Sequence, residues 1–390
     1  MDEQLSARLI QIRRQIHANP ELGYQEEKTS QLVQQELEQL GIPYTTGAAR
    51  GTGVIGTLRK GDGPVVAIRA DMDALPMQEE TGLPFASATA GKMHSCGHDL
   101  HTTMLIGAAA LLKNTDFQGT VKFLFQPSEE GPNGDPEGMT GAHRLVEEGY
   151  LDDVQAALGL HVDPSLPVGQ ITYALGPALA CTGFFSIEVS GKAAHAGAAP
   201  QLGIDAVAVA AQLVTSAQMI VARHTAPTET AVLSFTKING GVAPNVIADR
   251  VVLEGTIRSL DLDTYNDIIS RLNKIIEGLM TAFDAKIKFD LYYNLPSVLN
   301  DGNVHGKLVQ SLDTVFGAGN SKQVVPLLAG EDFAHYSRKV PSMFYLLGAQ
   351  DPTCGGYYLH HPKVIFNEGA IAYGAKFLAT GAIGLLNNYR

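Results

Sequence analysis

A cysteine and a histidine stand two apart in Cys96-Gly97-His98, inside the segment Met93-His94-Ser95-Cys96-Gly97-His98-Asp99. A thiolate and an imidazole are both good ligands for a borderline-soft divalent metal. A glycine between them lets a tight loop aim both at one point. Asp99 and His101 add further candidate ligands or orienting groups. The plain alternative is a helix-entry loop with a buried cysteine and a capping aspartate. A second cluster, Gln126-Pro127-Ser128-Glu129-Glu130, follows the apolar run 121–125. Adjacent carboxylates at the end of a buried strand are costly unless something neutralises them. A pair of metal ions does so, and one carboxylate can ligate while its neighbour handles protons. The alternative here is a solvated acidic loop. His161 ends another apolar run, Asp71 and Asp73 follow the run 65–70, and His360 lies far along the chain in Leu359-His360-His361-Pro362. A lone histidine is usually structural. Their coincidence at strand ends and helix entries makes a dimetal site the best physical account.

These groups need a scaffold. Leu5, Leu9, Ile12 and Ile16 recur at helical spacing, so the chain opens with an amphipathic helix that His17-Ala18-Asn19-Pro20 ends. A second helix is expected over 27–40, stopping at Gly41. Strands are expected over 53–59, 65–70, 121–126 and 156–161, with a helix over 100–112. This alternation predicts an α/β layer with a mostly parallel sheet, and open sheets of that kind carry ligands at the carboxyl ends of their strands. The pattern changes near Gly176-Pro177. Strand 184–190, helix 205–223, strands 231–238 and 250–258, helix 264–283 and strand 286–292 then make a βαββαβ, ferredoxin-like order. Residues 324–328 as a strand, a helix from about Asp332 and a strand over 343–347 resume the first style. The expected organisation is a discontinuous catalytic domain, 1–178 and 294–390, with a smaller domain, 179–293, inserted.

Composition bounds the function. With 390 residues, two domains are expected, and 45% apolar against 17% charged residues allows a sizeable core. The formal net charge of -12 repels phosphate backbones and argues against nucleic acid as a partner. Residues 1–18 are charged throughout without an apolar h-region, so no secretory signal is expected. No uninterrupted apolar run reaches membrane-spanning length, so no membrane span is expected. Three cysteines, Cys96, Cys181 and Cys354, argue against a disulfide framework and for a reducing, cytoplasmic compartment. Gly51-Thr52-Gly53-Val54-Ile55-Gly56 fits G-x-G-x-x-G, with Asp71 about 20 residues on, but no strand precedes it and no helix follows. No G-x-S-x-G elbow occurs, which weakens a serine hydrolase reading.

The ordered set of motifs resembles one family. It comprises Ala70-Asp71-Met72-Asp73-Ala74-Leu75-Pro76, the Met93 to Asp99 segment, Pro127-Ser128-Glu129-Glu130 and Leu359-His360-His361-Pro362. The family is the amidohydrolase branch of the aminoacylase/carboxypeptidase G metallopeptidases, with hippurate hydrolases, auxin-conjugate hydrolases and N-acetyldiaminopimelate deacetylases. The likeness runs from Arg14-Gln15-Ile16-His17 and Pro20-Glu21-Leu22 to Asn367-Glu368.

The resemblance implies a two-metal catalytic domain and an inserted lid that also forms a homodimer. Cys96, His98, Glu130, His161 and His360 would ligate two divalent ions (manganese, zinc, nickel or cobalt). Glu129 would be the general base, and Asp71 would orient a ligand from outside. His195, in Gly191-Lys192-Ala193-Ala194-His195, would reach an active site, that of the partner subunit, and polarise the scissile carbonyl. Asn245 and Arg258 would hold the substrate carboxylate. The alternatives are a helix cap for His195 and a surface ion pair for Arg258. The implied reaction is hydrolysis of the amide of an N-acyl amino acid; the runner-up is a dipeptidase or carboxypeptidase with the same metal chemistry. Three positions depart from the family pattern: Ser128 for the usual Ala, Ala248 for the usual Pro, and a longer, irregular stretch over 131–140.

Overall fold

In the computed structural model, which describes residues 1–389, the chain divides into two compact units. One comprises Met1–Ala178, Val298–Val325 and the chain from Glu331 onward; the other comprises Leu179–Ser297 and Pro326–Gly330.

The first unit is built on an eight-stranded sheet. Four parallel strands form its centre, in the order Gly119–Gln126, Val65–Asp71, Ala156–Pro167 and Ser342–Gln350. Antiparallel neighbours flank them, Gly51–Lys60 on one side and Ile171–Tyr173 on the other. The sheet is mostly parallel, as the alternation of strands and helices predicts. Val65–Asp71 is buried from its second residue onward, the pattern of a strand covered on both faces. Helix Glu3–Ala18 starts where the Asp2 side chain accepts the Leu5 N–H at 2.7 Å, and it buries Leu9, Ile12 and Ile16 as one stripe. Helix His98–Lys113 is buried on nearly every side and packs against helix Gly369–Asn388.

Several elements are absent from the sequence expectation, among them the helices Gly302–Phe316 and Gly369–Asn388 and the short strands Ile171–Tyr173 and Val298–Asn300. Strand Tyr44–Gly47 and helix Gly141–Glu147 are missed too, being too short to show a period. Residues 324–328 do not form the expected strand. The strand is Ser321–Gln323, and beyond it Leu327 makes a single bridge to Leu179. Pro326 has no N–H to give a ladder there. The expected helix from about Asp332 is the short Ala334–Lys339.

The second unit has four antiparallel strands in the order Lys286–Leu295, Cys181–Ser190, Arg250–Ser259 and Ala231–Gly240. Helices Ala206–Met219 and Leu262–Phe283 share its core. The second helix buries Tyr265, Ile268, Leu272, Ile276 and Leu279, and Asp261 caps it by accepting the Thr264 N–H at 2.7 Å. The order along the chain is β-α-β-β-α-β. By length and mean hydropathy Ala206–His224 and Gly369–Asn388 are apolar enough to cross a membrane, although polar residues interrupt both. Each instead packs one face into its own unit's core.

His143 and His335 stack nearly face to face, with ring centroids 4.3 Å apart. Burial and the His143 ring push His335 down to about 3 from its ordinary 6.5. Between those values the unfolded chain takes up a proton that the folded chain refuses. This group's share of stability is therefore complete above pH 6.5 and declines as pH falls toward 3. His335→Asn should flatten the decline of the urea midpoint below that pH; a slope equal to wild type would show that His335 does not set it.

Candidate metal centre

The loop between the strand Val65–Asp71 and the helix His98–Lys113 carries the first two candidate ligands. Gly97 holds the chain at φ +87°, and a Cβ there would lie 2.3 Å from Val162 Cγ2. Only glycine fits between Cys96 and His98. His161 lies on the strand Ala156–Pro167, and Glu130 follows the strand Gly119–Gln126. His360 sits at φ +60°, its N–H bound to the Ser95 carbonyl at 3.1 Å.

The five residues converge. Cys96 Sγ is 3.2 Å from His161 Nε2 and 3.3 Å from His360 Nε2. His360 Nε2 is 3.3 Å from Glu130 Oε1, which is 4.0 Å from His98 Nε2. Hydrogen bonding fixes which atoms are open. His161 Nδ1 lies 2.7 Å from the Val162 carbonyl, so it carries the proton and Nε2 turns a lone pair toward Cys96. His98 Nδ1 faces Asp73 Oδ1 at 3.1 Å, and its Nε2 is buried without a hydrogen bond. Glu130 Oε1 also accepts no hydrogen bond. Buried polar atoms are rarely left so. A thiol, imidazoles and a carboxylate with open lone pairs around one point fit divalent metal ions.

The electrostatics agree. Burial, together with the charges of Glu130, Glu129 and Asp71, pushes the Cys96 thiol well up; a bound cation would remove that proton. Burial opposes charge on His98, but Asp71, Asp73 and Glu130 outweigh it and raise the ring to about 10. Burial also pushes Glu129 well up, with Glu331, Glu130 and Asp332 adding to it. Burial works against ionised Glu130, yet His360 and His98 hold it below the usual range. The two neighbours therefore differ in character.

The surrounding shell corrects one assignment. Asp73, not Asp71, bonds directly to a candidate ligand: Oδ1 faces His98 and Oδ2 accepts the Glu130 N–H at 3.0 Å. Asp71 stays 3.8 Å from His98 Nε2. Its Oδ1 instead meets His101 Nδ1 at 2.6 Å, while His101 Nε2 accepts the Val162 N–H at 2.8 Å. Asp71 Oδ2 is 2.7 Å from Arg69, whose guanidinium also reaches Glu331 and Asp332. Arg69, Glu331 and Asp332 are missed by the sequence reading. Glu331-Asp332 carries the same adjacent-acid signal as Glu129-Glu130 and deserved the same weight. The irregular 131–140 stretch is built around Asp135, which accepts the N–H groups of Glu137 and Met139 and pairs with Arg144.

The remaining expected residues lie in the second unit. His195 is exposed, and its Nδ1 accepts the N–H groups of Gly197 and Ala198 at 3.2 and 3.1 Å. Its Nε2 therefore carries the proton. Asn245 is close by, its carbonyl accepting the Ala196 N–H at 3.0 Å. Arg258 donates to the Thr182 hydroxyl and lies over the Phe184 ring at 5.1 Å. From the Arg250–Ser190 pair to the Arg258–Thr182 pair is eight residues of strand. Arg250 and Arg258, the two ends of that pairing, are thus ~26 Å apart along the strand, at about 3.3 Å per residue.

Open donors of this kind beside a buried carboxylate, at the carboxyl ends of parallel strands, define a metal-dependent hydrolase. The sequence matches peptidase family M20/M25/M40 over residues 67–382, and the chain belongs to that family. It is 36% identical over 392 residues to an N-acetylcysteine deacetylase of Bacillus subtilis (strain 168), covering 100% of both chains. It is 38% identical to IAA-amino acid hydrolase ILR1-like 2 of Arabidopsis thaliana, over 97% of this chain and 85% of that one. The crystal structure of Bacillus subtilis YXEP, a dinuclear metal binding peptidase from the M20 family, superposes with a TM-score of 0.83 at 35% identity, covering 99% of both chains.

Cys96→Ala should lower metal content by elemental analysis; wild-type stoichiometry would remove Cys96 from the site. Asp73→Ala should weaken metal binding roughly 10- to 100-fold, read by chelator competition. An unchanged affinity would show that the Asp73 contact to His98 is idle.

Proposed function

We propose that this protein hydrolyses the amide bond of N-acyl amino acids, releasing a carboxylic acid and a free amino acid. The observation that carries the reading is Glu129, a buried carboxyl with a raised proton affinity beside the open lone pairs of Cys96, His98, Glu130, His161 and His360. The two named relatives, a deacetylase and an IAA-amino acid hydrolase, support that substrate class.

Those five residues would hold two divalent ions, manganese, zinc, nickel or cobalt. Ions so held lower the pKa of water and supply hydroxide at neutral pH. Glu129 takes the proton of the attacking water and returns it to the leaving nitrogen. Asp71 acts from outside, holding His101 and Arg69 in place. His195 offers its Nε2 proton to the carbonyl oxygen, where negative charge develops. Arg258, which pairs with no carboxylate among the described residues, suits both oxygens of the substrate carboxylate.

Asn245 would join Arg258 in holding the substrate carboxylate, and His195 would reach the site of a partner subunit, in a homodimer formed through the second unit. The edge strand Ala231–Gly240 has one side unpaired, and Ile238, Val207 and Met219 are exposed apolar groups on this unit. Three cysteines in 390 residues are too few for a disulfide framework, which fits a cytoplasmic setting.

A panel of N-acetyl and N-benzoyl amino acids beside dipeptides tests the class. N-acyl amino acids should be turned over fastest; faster turnover of dipeptides would move the assignment to a peptidase. Glu129→Gln should keep its metal and lose roughly 10²- to 10⁴-fold in kcat. Near-normal kcat in that variant would sink Glu129 as the base.

A further inference from the structure

Helix Glu27–Gln39 opens without a hydrogen bond from its own N-cap side chain, Glu26. Glu21 does that work instead. Its carboxylate accepts the N–H groups of Lys28 at 3.0 Å and Thr29 at 2.9 Å, and the Thr29 hydroxyl at 3.1 Å. Glu26 is thereby free to turn inward, where it is 0% exposed. The strongest charge acting on it is that of another acid, Asp73. Burying a carboxyl beside an acid is unfavourable, and helix formation does not require it.

Both oxygens of Glu26 are committed. Oε2 accepts the Thr52 hydroxyl at 2.8 Å, and Oε1 accepts the backbone N–H of Ser128 at 2.8 Å. Ser128 immediately precedes Glu129 and sits at φ +52°, a left-handed conformation that side chains disfavour. All its polar groups are held. Its carbonyl accepts the Gly141 N–H at 3.0 Å. Its hydroxyl donates to the Gly131 carbonyl at 2.6 Å and accepts from the Asn133 amide at 2.9 Å. Gly23 packs on the same turn, where a Cβ would lie 2.4 Å from Ser128 Oγ and 2.1 Å from Asn133 Nδ2. The Tyr24 hydroxyl donates to the Met139 carbonyl at 2.7 Å. Residues 23–26 thus clasp the loop 128–140 at both ends.

The turn matters because the next two side chains part company. Glu129 Oε1 accepts the Asp332 N–H at 3.3 Å, while the Glu130 N–H goes to Asp73. We infer that Glu26 is a positioning residue: its bond to the Ser128 N–H holds the left-handed turn from which Glu129 and Glu130 are aimed. The inference rests on the proposed role of Glu129 as the base.

Glu26→Ala, Glu26→Asp and Glu26→Gln, compared as metal-loaded enzymes, test it with two readouts. One is steady-state kinetics on the best N-acyl amino acid of the panel. The other is amide hydrogen exchange of peptides covering residues 127–134. Gln keeps an acceptor at the same reach, and Asp withdraws it by one methylene. Ala and Asp should lower kcat roughly 10- to 100-fold with KM little changed and metal content intact. Exchange over 127–134 should quicken about tenfold in both, with Gln near wild type in each readout. Wild-type kcat and exchange in Ala, or a Gln variant as impaired as Asp, would overturn the inference. Should Ala not fold, the comparison of Gln with Asp decides. If wild type hydrolyses nothing in the panel, the proposed function fails, and the exchange readout judges Glu26 by itself: unchanged exchange in Asp refutes it.

Discussion

Acidic groups crowd the carboxyl ends of the central strands, and most of this structure answers that crowding. Asp71, Asp73, Glu129, Glu331 and Asp332 are all buried there, with Glu130 nearly so. Removing so many carboxylates from water costs several kcal/mol apiece unless each finds a counter-charge. Arg69, 1% exposed, answers three of them. The excess shows in raised proton affinities. Burial drives Glu331 up to about 8 despite Arg69, and Asp332 up to about 6. A cluster of this kind favours cations, and the open lone pairs beside it say where they would sit.

The histidines obey a second constraint, that each ring nitrogen has one job. A backbone carbonyl accepts from His161 Nδ1 and so keeps the proton there, and a backbone N–H donates to His101 Nε2 and keeps it unprotonated. His101 must then donate from Nδ1 to Asp71, whose other oxygen meets Arg69. The chain of contacts runs from main-chain groups on the strand Ala156–Pro167, through His101 and Asp71, to Arg69 and the acids around Glu129. The sheet therefore sets protonation as well as position. His195 follows the same rule in the second unit, where two backbone N–H groups leave its proton on Nε2.

The sheet of the second unit sets Arg258 apart from the loops that carry His195 and Asn245. Strand pairing places Arg258 at one end and the His195–Asn245 loops at the other.

Much of this was legible along the chain. Apolar runs and their punctuation marked the central strands and the helices near 3–18, 27–39, 98–113, 206–219 and 262–283, because burial on both faces writes itself as continuous Val, Ile, Leu and Phe. Residue type and placement at strand ends singled out Cys96, His98, Glu129, Glu130, His161 and His360, because few other uses combine a thiol, imidazoles and paired acids. Which acid orients His98 was not legible. Asp71 and Asp73 are alike in sequence, and only the turn after Val65–Asp71 aims Asp73 at the ring. Nor could sequence show that Glu26, an ordinary residue before a helix, bonds to Ser128 across 102 positions, or that Arg69 gathers acids from both ends of the chain. The period and type of side chains are local properties. The sequence by itself determined the central strands, the helices that precede or flank them up to residue 283 and the kinds of donor available, but not the helices Gly302–Phe316 and Gly369–Asn388. Only the tertiary structure decided which hydrogen bond each donor makes, because those partners meet through long-range packing.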